Sequence, residues 1–202
     1  FVFIKLDLSK KKLTETKIQN ILTIHKNITF LINNAGIRYR KNSINSSFRT
    51  YQKVLDNNFF SAAILSNAYI KYLSSKNFTL KSSIVNITSI VGPRGFADLS
   101  NYASSKGALE YFSKSLAVEY AKKNIRVNCV APGFIKSSYH ENFKKNSTLY
   151  DWTVNRTPMN RWGEIDEIYP LVEFLLSKGS SYITGNTIYV DGGWTAQWMK
   201  YK

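Results

Sequence analysis

Residues 83–131 decide the fold class, and they read SIVNITSIVGPRGFADLSNYASSKGALEYFSKSLAVEYAKKNIRVNCVA. Two short apolar runs, SIVNIT at 83–88 and IRVNCVA at 125–131, flank a long helix-like segment at 101–123. A strand, a helix and a second strand in this order form the unit from which parallel sheets are built. Because strands buried on both faces have continuous apolar runs of this kind, we predict a parallel sheet wrapped by helices.

The same alternation continues on both sides of this unit. FVFIKL at 1–6 and ITFLIN at 28–33 are predicted strands upstream, and TIYV at 187–190 is a predicted strand downstream. No repeat or low-complexity linker interrupts the 202 residues, so a single α/β domain over 1–202 is predicted. Ligands of open parallel sheets bind beyond the carboxyl ends of the strands, and the chemistry should therefore follow each apolar run.

Composition excludes several function classes. No apolar stretch reaches the roughly 18 residues of a membrane span, and the opening segment is too short for the apolar region of a signal peptide. Cys129 is the single cysteine, and the two histidines, His25 and His140, form no metal-binding spacing with it. We therefore predict a cytoplasmic protein without membrane segments, whose chemistry uses no metal.

The formal net charge of +15 has two interpretations. It is compatible with a polyanionic partner such as a nucleic acid, or with a phosphate or carboxylate on a small substrate. The basic residues are spread along the chain, with short runs such as Lys10–Lys12. This scatter favours a general bias toward lysine over a nucleic-acid surface.

Tyr102 and Lys106 are the most informative pair of residues. They are four positions apart in the predicted helix, so their side chains share one face. A tyrosine with its usual pKa near 10 is a poor acid or base at neutral pH unless a nearby cation stabilises its phenolate, and Lys106 is placed to do so. The hydroxyl of Ser89, which follows the SIVNIT strand, could hold a substrate oxygen beside the tyrosine. Taken alone, the pair is more often an ordinary surface contact, since this spacing occurs by chance in many proteins.

The pair belongs to a longer series of short motifs. Small residues in NNAG at 33–36 allow a ligand to approach the backbone, and the asparagine amides could tie neighbouring strands together. The series comprises Asp7, NNAG, VLDNNF with Asn58, NITSIVG with Ser89, YASSK with Tyr102 and Lys106, VAPGF with Pro132 and Gly133, and YVDGG at 189–193. In its order and spacing the chain resembles the short-chain dehydrogenase/reductase family, from its first residues to about Gly193.

The resemblance implies a hydride-transferring oxidoreductase with defined catalytic residues. Tyr102 would be the general acid/base, Lys106 would lower its pKa and bind the nicotinamide ribose, and Ser89 would orient the substrate oxygen. Asn58 would hold a water in the proton relay behind the lysine. The alternative for Asn58 is a helix residue with local hydrogen bonds.

The resemblance also implies a bound NAD or NADP. Asp7 would contact the adenine, and Asn34, Ala35 and Gly36 the adenosine ribose and the pyrophosphate. Further contacts are implied on the nicotinamide side, at Pro132, Gly133, Ile135 and Ser137. Structural alternatives exist: Asp7 could cap a helix beginning near Ser9, and Pro132–Gly133 could be a turn that ends a strand.

The fold implied by the resemblance is a three-layer, doubly wound Rossmann-type parallel sheet with the strand order 3-2-1-4-5-6-7. Its first two strands and its glycine-rich turn, about 50 residues by the length of such units, have no counterpart in the sequence. The choice between NAD and NADP is therefore not predicted, and we expect the chain to be an N-terminally truncated fragment. The FVFIKL strand would then have no neighbour, and the strand at 28–33 would expose an apolar edge.

Substrate choice is expected to depend on the loop at 90–101 and on a lid insertion at 136–163. The insertion carries aromatic and arginine side chains that could bind a hydroxylated, anionic substrate: Tyr139, His140, Trp152, Arg156, Arg161 and Trp162. A lid packed on its own aromatic residues is the alternative. Segments near the C-terminus resemble sugar-acid and polyol dehydrogenases of the family, whereas its 3-oxoacyl-[acyl-carrier-protein] reductases share nearly all the motifs. We rank a sugar, sugar acid or polyol first.

The resemblance implies a homotetramer that uses the helices at 47–76 and 101–123 and the C-terminal strand. Apolar residues of the second helix fit an interface, although residues facing the sheet would give the same pattern: Leu109, Phe112, Leu116 and Val118. The competing functional class is a fragment without catalysis that binds a polyanion or serves as a subunit of a larger assembly.

Overall fold

One parallel sheet forms the centre of the molecule in the computed structural model, which describes residues 2, 4–8, 11–25, 27–79 and 81–197, without the side chains of 11–14. The strands are β1 (Phe30–Asn33), β2 (Ser82–Ile87), β3 (Ile125–Pro132) and β4 (Thr187–Val190). They lie in the order β1-β2-β3-β4, and each neighbouring pair is parallel. The strands predicted from ITFLIN, SIVNIT, IRVNCVA and TIYV are thus confirmed.

The helices alternate with the strands as predicted. They are α1 (Lys11–Ile24), α2 (Phe48–Leu55), a π-helical turn (Asp56–Phe60), α3 (Ser61–Ser75), α4 (Ser100–Tyr120), α5 (His140–Lys144), α6 (Ser147–Arg156) and α7 (Tyr169–Leu176). Short 3₁₀ turns lie at Ser43–Asn45, Ala121–Lys123, Ile165–Glu167 and Lys178–Ser180. None of the described helices combines the length and apolar character that a membrane crossing requires.

Helices cover both faces of the sheet. Successive strand residues point to opposite faces, so Ile84 packs in the core formed with α1, α3 and α4, while Val85 packs against Leu175 of α7. Both strand residues are fully buried. This arrangement confirms the three-layer, Rossmann-type α/β class.

Buried amides connect the first two strands, as the NNAG motif suggested. The Asn33 side chain donates from Nδ2 to Asn86 Oδ1 at 2.7 Å and to Ser66 Oγ at 3.1 Å. Asn86 in turn donates to Ser113 Oγ of α4 at 2.7 Å. Hydrogen bonds between β1, β2, α3 and α4 therefore fix the sheet edge at which the NNAG loop begins.

The predicted opening strand is wrong for the residues the structure describes. Val2 and residues 4–8 pair with no described strand, while Phe1 and Phe3 lie outside the described residues. A strand requires a neighbour for its backbone groups, and none is present here. The expected apolar edge is observed at β1, where Phe30 and Ile32 are nearly half exposed beside an apolar groove of about 430 Å³.

The segment at 136–163, predicted to be a lid, forms α5 and α6 and packs on its own aromatic side chains. Trp162 is 3% exposed and contacts the rings of Phe134, His140 and Phe143. Its Nε1 donates to Thr153 Oγ1 at 2.7 Å. The lid is therefore held in place by a buried aromatic cluster at the carboxyl ends of the strands.

Candidate active site

A cleft of about 380 Å³ opens beyond the carboxyl ends of β1, β2 and β3. Its lining includes nine of the residues predicted to act in catalysis or cofactor binding: Asn34, Gly36, Ser89, Tyr102, Lys106, Pro132, Gly133, Ile135 and Ser137. These residues come from four separate segments of the sequence. The parallel topology brings them together because every β-strand here ends at the same edge of the sheet.

Helix α4 positions Tyr102 and Lys106 one turn apart at this edge. The Lys106 side chain is buried, its Nζ donates to the backbone oxygen of Ile87 at 2.7 Å, and Nζ lies 5.8 Å from the centroid of the Tyr102 ring. Burial lowers the pKa of Lys106 to about 8 because the charged ammonium has lost most of its water. The ammonium is still largely charged at pH 7.

The Ser89 side chain lies beside the Tyr102 phenol. Burial raises the pKa of Tyr102, whereas the Arg38 guanidinium and the Ser89 hydroxyl act in the opposite direction. The net pKa lies above the ordinary value, so the phenol keeps its proton at neutral pH. A protonated phenol beside a serine hydroxyl can donate a proton to a carbonyl oxygen held between them.

Asn58 lies in the π-helical turn between α2 and α3 and is fully buried. Its Oδ1 accepts from the backbone nitrogen of Ile37 at 2.7 Å, and its Nδ2 donates to the backbone oxygen of Ile37 and to Ser105 Oγ, both at 2.9 Å. Isolated π turns are frequent at functional sites. Here the turn brings an amide against the loop that follows NNAG.

The NNAG loop forms one wall of the cleft through Asn34 and Gly36, while Ala35 does not line it. A Cβ on Gly36 would lie 3.4 Å from Asn58 Oδ1 and 3.5 Å from Lys106 Nζ, which are ordinary contact distances. Gly36 therefore brings the loop backbone close to Lys106. Asp7 is exposed and does not line this cleft.

The opposite wall follows β3 and contains Pro132, Gly133, Ile135 and Ser137. Gly133 also has a packing role, because a Cβ there would lie 2.8 Å from Cα and Cβ of Asp191. Ser137 is exposed at the mouth of the cleft. Small residues on both walls leave room for a ligand between them.

The lid supplies Tyr139 and Trp162 to the cleft, but its other predicted side chains lie elsewhere. Arg161 pairs with Glu167 at 2.7 and 2.8 Å, and Arg156 donates to the side chain and backbone of Gln197 at 3.0 Å. Trp152 lines a separate, larger cavity, and His140 is buried in the aromatic cluster. The two lid arginines are therefore occupied outside the cleft.

Arg38 is a cleft residue that the sequence reasoning missed. Arg38 lines the cleft, and its guanidinium carbon lies 3.9 Å from the centroid of the Tyr139 ring. The signal was present in the sequence, because Arg38 follows NNAG by two positions. An arginine in the loop after a ligand-binding strand end is a candidate for anion recognition.

Comparison with known proteins gives consistent matches over most of the chain. The model of a family described as enoyl-(acyl carrier protein) reductase matches residues 1–195. A tropinone reductase homolog of Arabidopsis thaliana is 40% identical over 174 residues, which are 86% of this chain and 65% of the relative. A 3-oxoacyl-[acyl-carrier-protein] reductase of Chlamydia trachomatis is 37% identical over 191 residues, 95% of this chain and 75% of the relative.

Among solved structures, the fold is similar to that of a gluconate 5-dehydrogenase from Burkholderia cenocepacia in complex with NADP and tartrate. The TM-score is 0.89 at 26% sequence identity, and the match covers 95% of this chain and 74% of the other. The chain thus spans between about two thirds and three quarters of the length of these proteins. The family model, which matches residues 1–195, includes every segment that lines the cleft.

Proposed function

The chain belongs to the short-chain dehydrogenase/reductase family, a family of oxidoreductases that act on CH–OH groups, and from this we propose a function for the full natural chain. It transfers a hydride between NAD or NADP and a carbonyl or secondary alcohol of a sugar, sugar acid or polyol. The observation that carries the proposal is the meeting of Ser89, Tyr102 and Lys106 in one cleft. Tyr102 and Lys106 come from one turn of α4, and Ser89 follows β2.

In the proposed reaction, Tyr102 is the general acid/base. During reduction its phenol donates a proton to the substrate oxygen, and during oxidation its phenolate removes the proton from the alcohol. The Ser89 hydroxyl holds that oxygen in place, and the charged Lys106 stabilises the phenolate that forms. A bound nicotinamide supplies or accepts the hydride.

The cleft has the chemistry that a dinucleotide with phosphate groups requires. Lys106 and Arg38 are its two charged lining residues in the described part of the chain, and no carboxylate lines it there. Gly36 brings backbone close to the site. We propose that Asn34, Ala35 and Gly36 hold the adenosine side, with Asp7 at the adenine, and that Pro132, Gly133, Ile135, Ser137, Tyr102 and Lys106 hold the nicotinamide side.

The substrate class is proposed from the similarity to a gluconate 5-dehydrogenase and from the cationic, hydroxyl-bearing cleft. A second candidate is the reduction of a 3-oxoacyl-[acyl-carrier-protein]. It is favoured by the higher sequence identity of the chlamydial reductase, 37% against 26%. Sequence identity over a whole chain reflects the shared fold as well as the substrate pocket, so it does not decide the substrate class. We therefore keep the sugar-type substrate first.

We further propose a cytoplasmic homotetramer. Exposed apolar side chains on α2 and α4 are available for contact with a second copy: Phe48, Tyr111 and Val118, at 81%, 70% and 84% exposure. Leu109 and Leu116 of α4 are instead buried within this chain, Leu116 in the core that contains Ile84 of β2, so the alternative explanation of their spacing applies to them. Sedimentation equilibrium of the full natural chain would test the tetramer.

The test of the activity is the oxidation of NADH and of NADPH by the full natural chain. Each is offered with ketoses, keto-sugar acids and acetoacetyl thioesters, and turnover identifies both the cofactor and the substrate class. Tyr102→Phe removes the proton donor while keeping the ring, so we expect turnover to disappear and cofactor binding to be retained. Substantial residual activity in Tyr102→Phe would refute its role, and a folded wild type without any turnover would favour the polyanion-binding alternative.

A further inference from the structure

Arg38 is held at the mouth of the active-site cleft by an aromatic ring. Its guanidinium lies over Tyr139 with the carbon 3.9 Å from the ring centroid, and Tyr139 itself contacts Phe143 of the lid cluster at 6.1 Å between centroids. Stacking on a ring occupies the face of the guanidinium and leaves the N–H groups in its plane available. The planar fork is therefore oriented before any ligand arrives.

The hydrogen-bonding capacity of Arg38 is unused in the part of the chain that the structure describes. No carboxylate or carbonyl pairs with its guanidinium there, whereas Arg156 and Arg161 have such partners. The second cation of the cleft, Lys106, donates to the backbone oxygen of Ile87 and is nearly fully buried. Among the described residues, Arg38 is thus the cleft cation whose N–H donors are available to an incoming anion.

We propose that Arg38 binds a carboxylate of the substrate, at the end away from the reacting carbon, so that the substrate is a keto or hydroxy acid. This inference rests on the proposed oxidoreductase function and narrows its substrate class. A carboxylate matches the guanidinium fork with two parallel hydrogen bonds, and no acidic side chain among the described lining residues would repel it. With Ser89 and Tyr102 holding the reacting oxygen, the second attachment point fixes which carbon faces the hydride.

The test uses two substrates that differ at one carbon. 5-Keto-D-gluconate and L-sorbose have the same keto group and stereocentres, but one ends in a carboxylate and the other in CH₂OH. We expect Arg38→Leu to lower kcat/KM for 5-keto-D-gluconate by about 10- to 100-fold, the range for a charged hydrogen bond. L-Sorbose offers no charge to the arginine, so its loss should reflect only the effect of Arg38 on the Tyr102 pKa and should be severalfold smaller than the loss for 5-keto-D-gluconate.

Two further variants refine the test. One asks whether the paired donors of the guanidinium are needed in addition to its charge, and the other is a control outside the cleft. Arg38→Lys keeps the charge and loses the planar pair of donors, so its effect on the acid should be intermediate. Arg49→Leu, which removes an exposed arginine of α2 outside the cleft, should leave both substrates unchanged. Equal losses for acid and neutral substrate in Arg38→Leu would overturn the inference, and so would a raised KM for the cofactor with the acid preference intact.

Calorimetric binding distinguishes this inference from the proposed function. D-Gluconate and D-glucitol also differ in one carboxylate, and their binding requires no turnover. If neither keto substrate is reduced by the wild type, the substrate class of the proposed function fails. D-Gluconate binding that is lost in Arg38→Leu would still support the carboxylate site, whereas equal binding by both proteins would refute it.

Discussion

Replacing Lys106 with methionine should stabilise the fold while abolishing turnover. The pKa of Lys106 is near 8 instead of 10.5, and this difference corresponds to about 3 kcal/mol of unfavourable free energy for the buried ammonium at pH 7. Methionine fills a similar volume without a charge. It also loses the hydrogen bond to the Ile87 oxygen, which we put at about 1 kcal/mol. We therefore expect Lys106→Met to raise the free energy of unfolding by about 2 kcal/mol at pH 7.

The stability difference between Lys106→Met and the wild type should depend on pH. Between the folded pKa of Lys106 and the unfolded value, the unfolded chain binds more protons, so the wild type gains stability as pH rises through this window. The gain is about 2–3 kcal/mol from pH 7 to pH 10, and Lys106→Met cannot show it. Groups common to both proteins cancel in the difference.

Urea unfolding followed by the fluorescence of the four tryptophans measures this difference at both pH values. The advantage of Lys106→Met should vanish by about pH 10. A variant less stable than the wild type at pH 7, or a difference that is the same at both pH values, would refute the assigned burial cost. Turnover by Lys106→Met would contradict the catalytic role separately.

Three further substitutions test the walls of the cleft. Gly133→Ala places a Cβ 2.8 Å from the Asp191 backbone, so we expect about 1–3 kcal/mol lower stability in urea unfolding and weaker cofactor binding by calorimetry. Unchanged stability and unchanged cofactor binding would show that β3 has room to shift. Trp162→Ala should cost about 3–5 kcal/mol by the same assay, because it empties the aromatic cluster, and a loss below 1 kcal/mol would mean that the lid is not held by this ring. Asn58→Leu leaves both backbone groups of Ile37 without partners and should cost about 2–4 kcal/mol, whereas a neutral effect would show that water replaces the amide.

Periodicity in the sequence was sufficient for the sheet and its layers. The apolar runs at β2 and β3 are continuous because both faces of these strands are covered, and that pattern is visible without coordinates. The strand predicted from FVFIKL failed for a different reason. Its apolar composition describes a local preference, but a strand forms only where a neighbour accepts its backbone hydrogen bonds.

Residues that line the cleft were predictable from the sequence where they follow the end of a strand. They were less predictable where a side chain can bind more than one partner. Ser89 and Gly133 follow strands, so topology alone places them. Arg156 and Arg161 were equally plausible anion ligands from composition, but Gln197 and Glu167 engage them. Arg38, in contrast, lines the cleft but was not predicted to do so, because the ring that holds it, Tyr139, lies about a hundred residues later in the sequence.

The contacts of Asn58 connect α4, through Ser105, to the loop that carries Arg38. Its amide fixes the backbone of Ile37 on both sides, and Ile37 lies between Gly36, which faces Lys106, and Arg38. Since both amide atoms already have protein partners, we expect Asn58 to act first by holding this loop in place. The π-helical turn is what allows a residue between α2 and α3 to reach that loop. Loss of the amide should therefore weaken recognition of an acid at Arg38 as well as stability, which a purely local helix residue would not do.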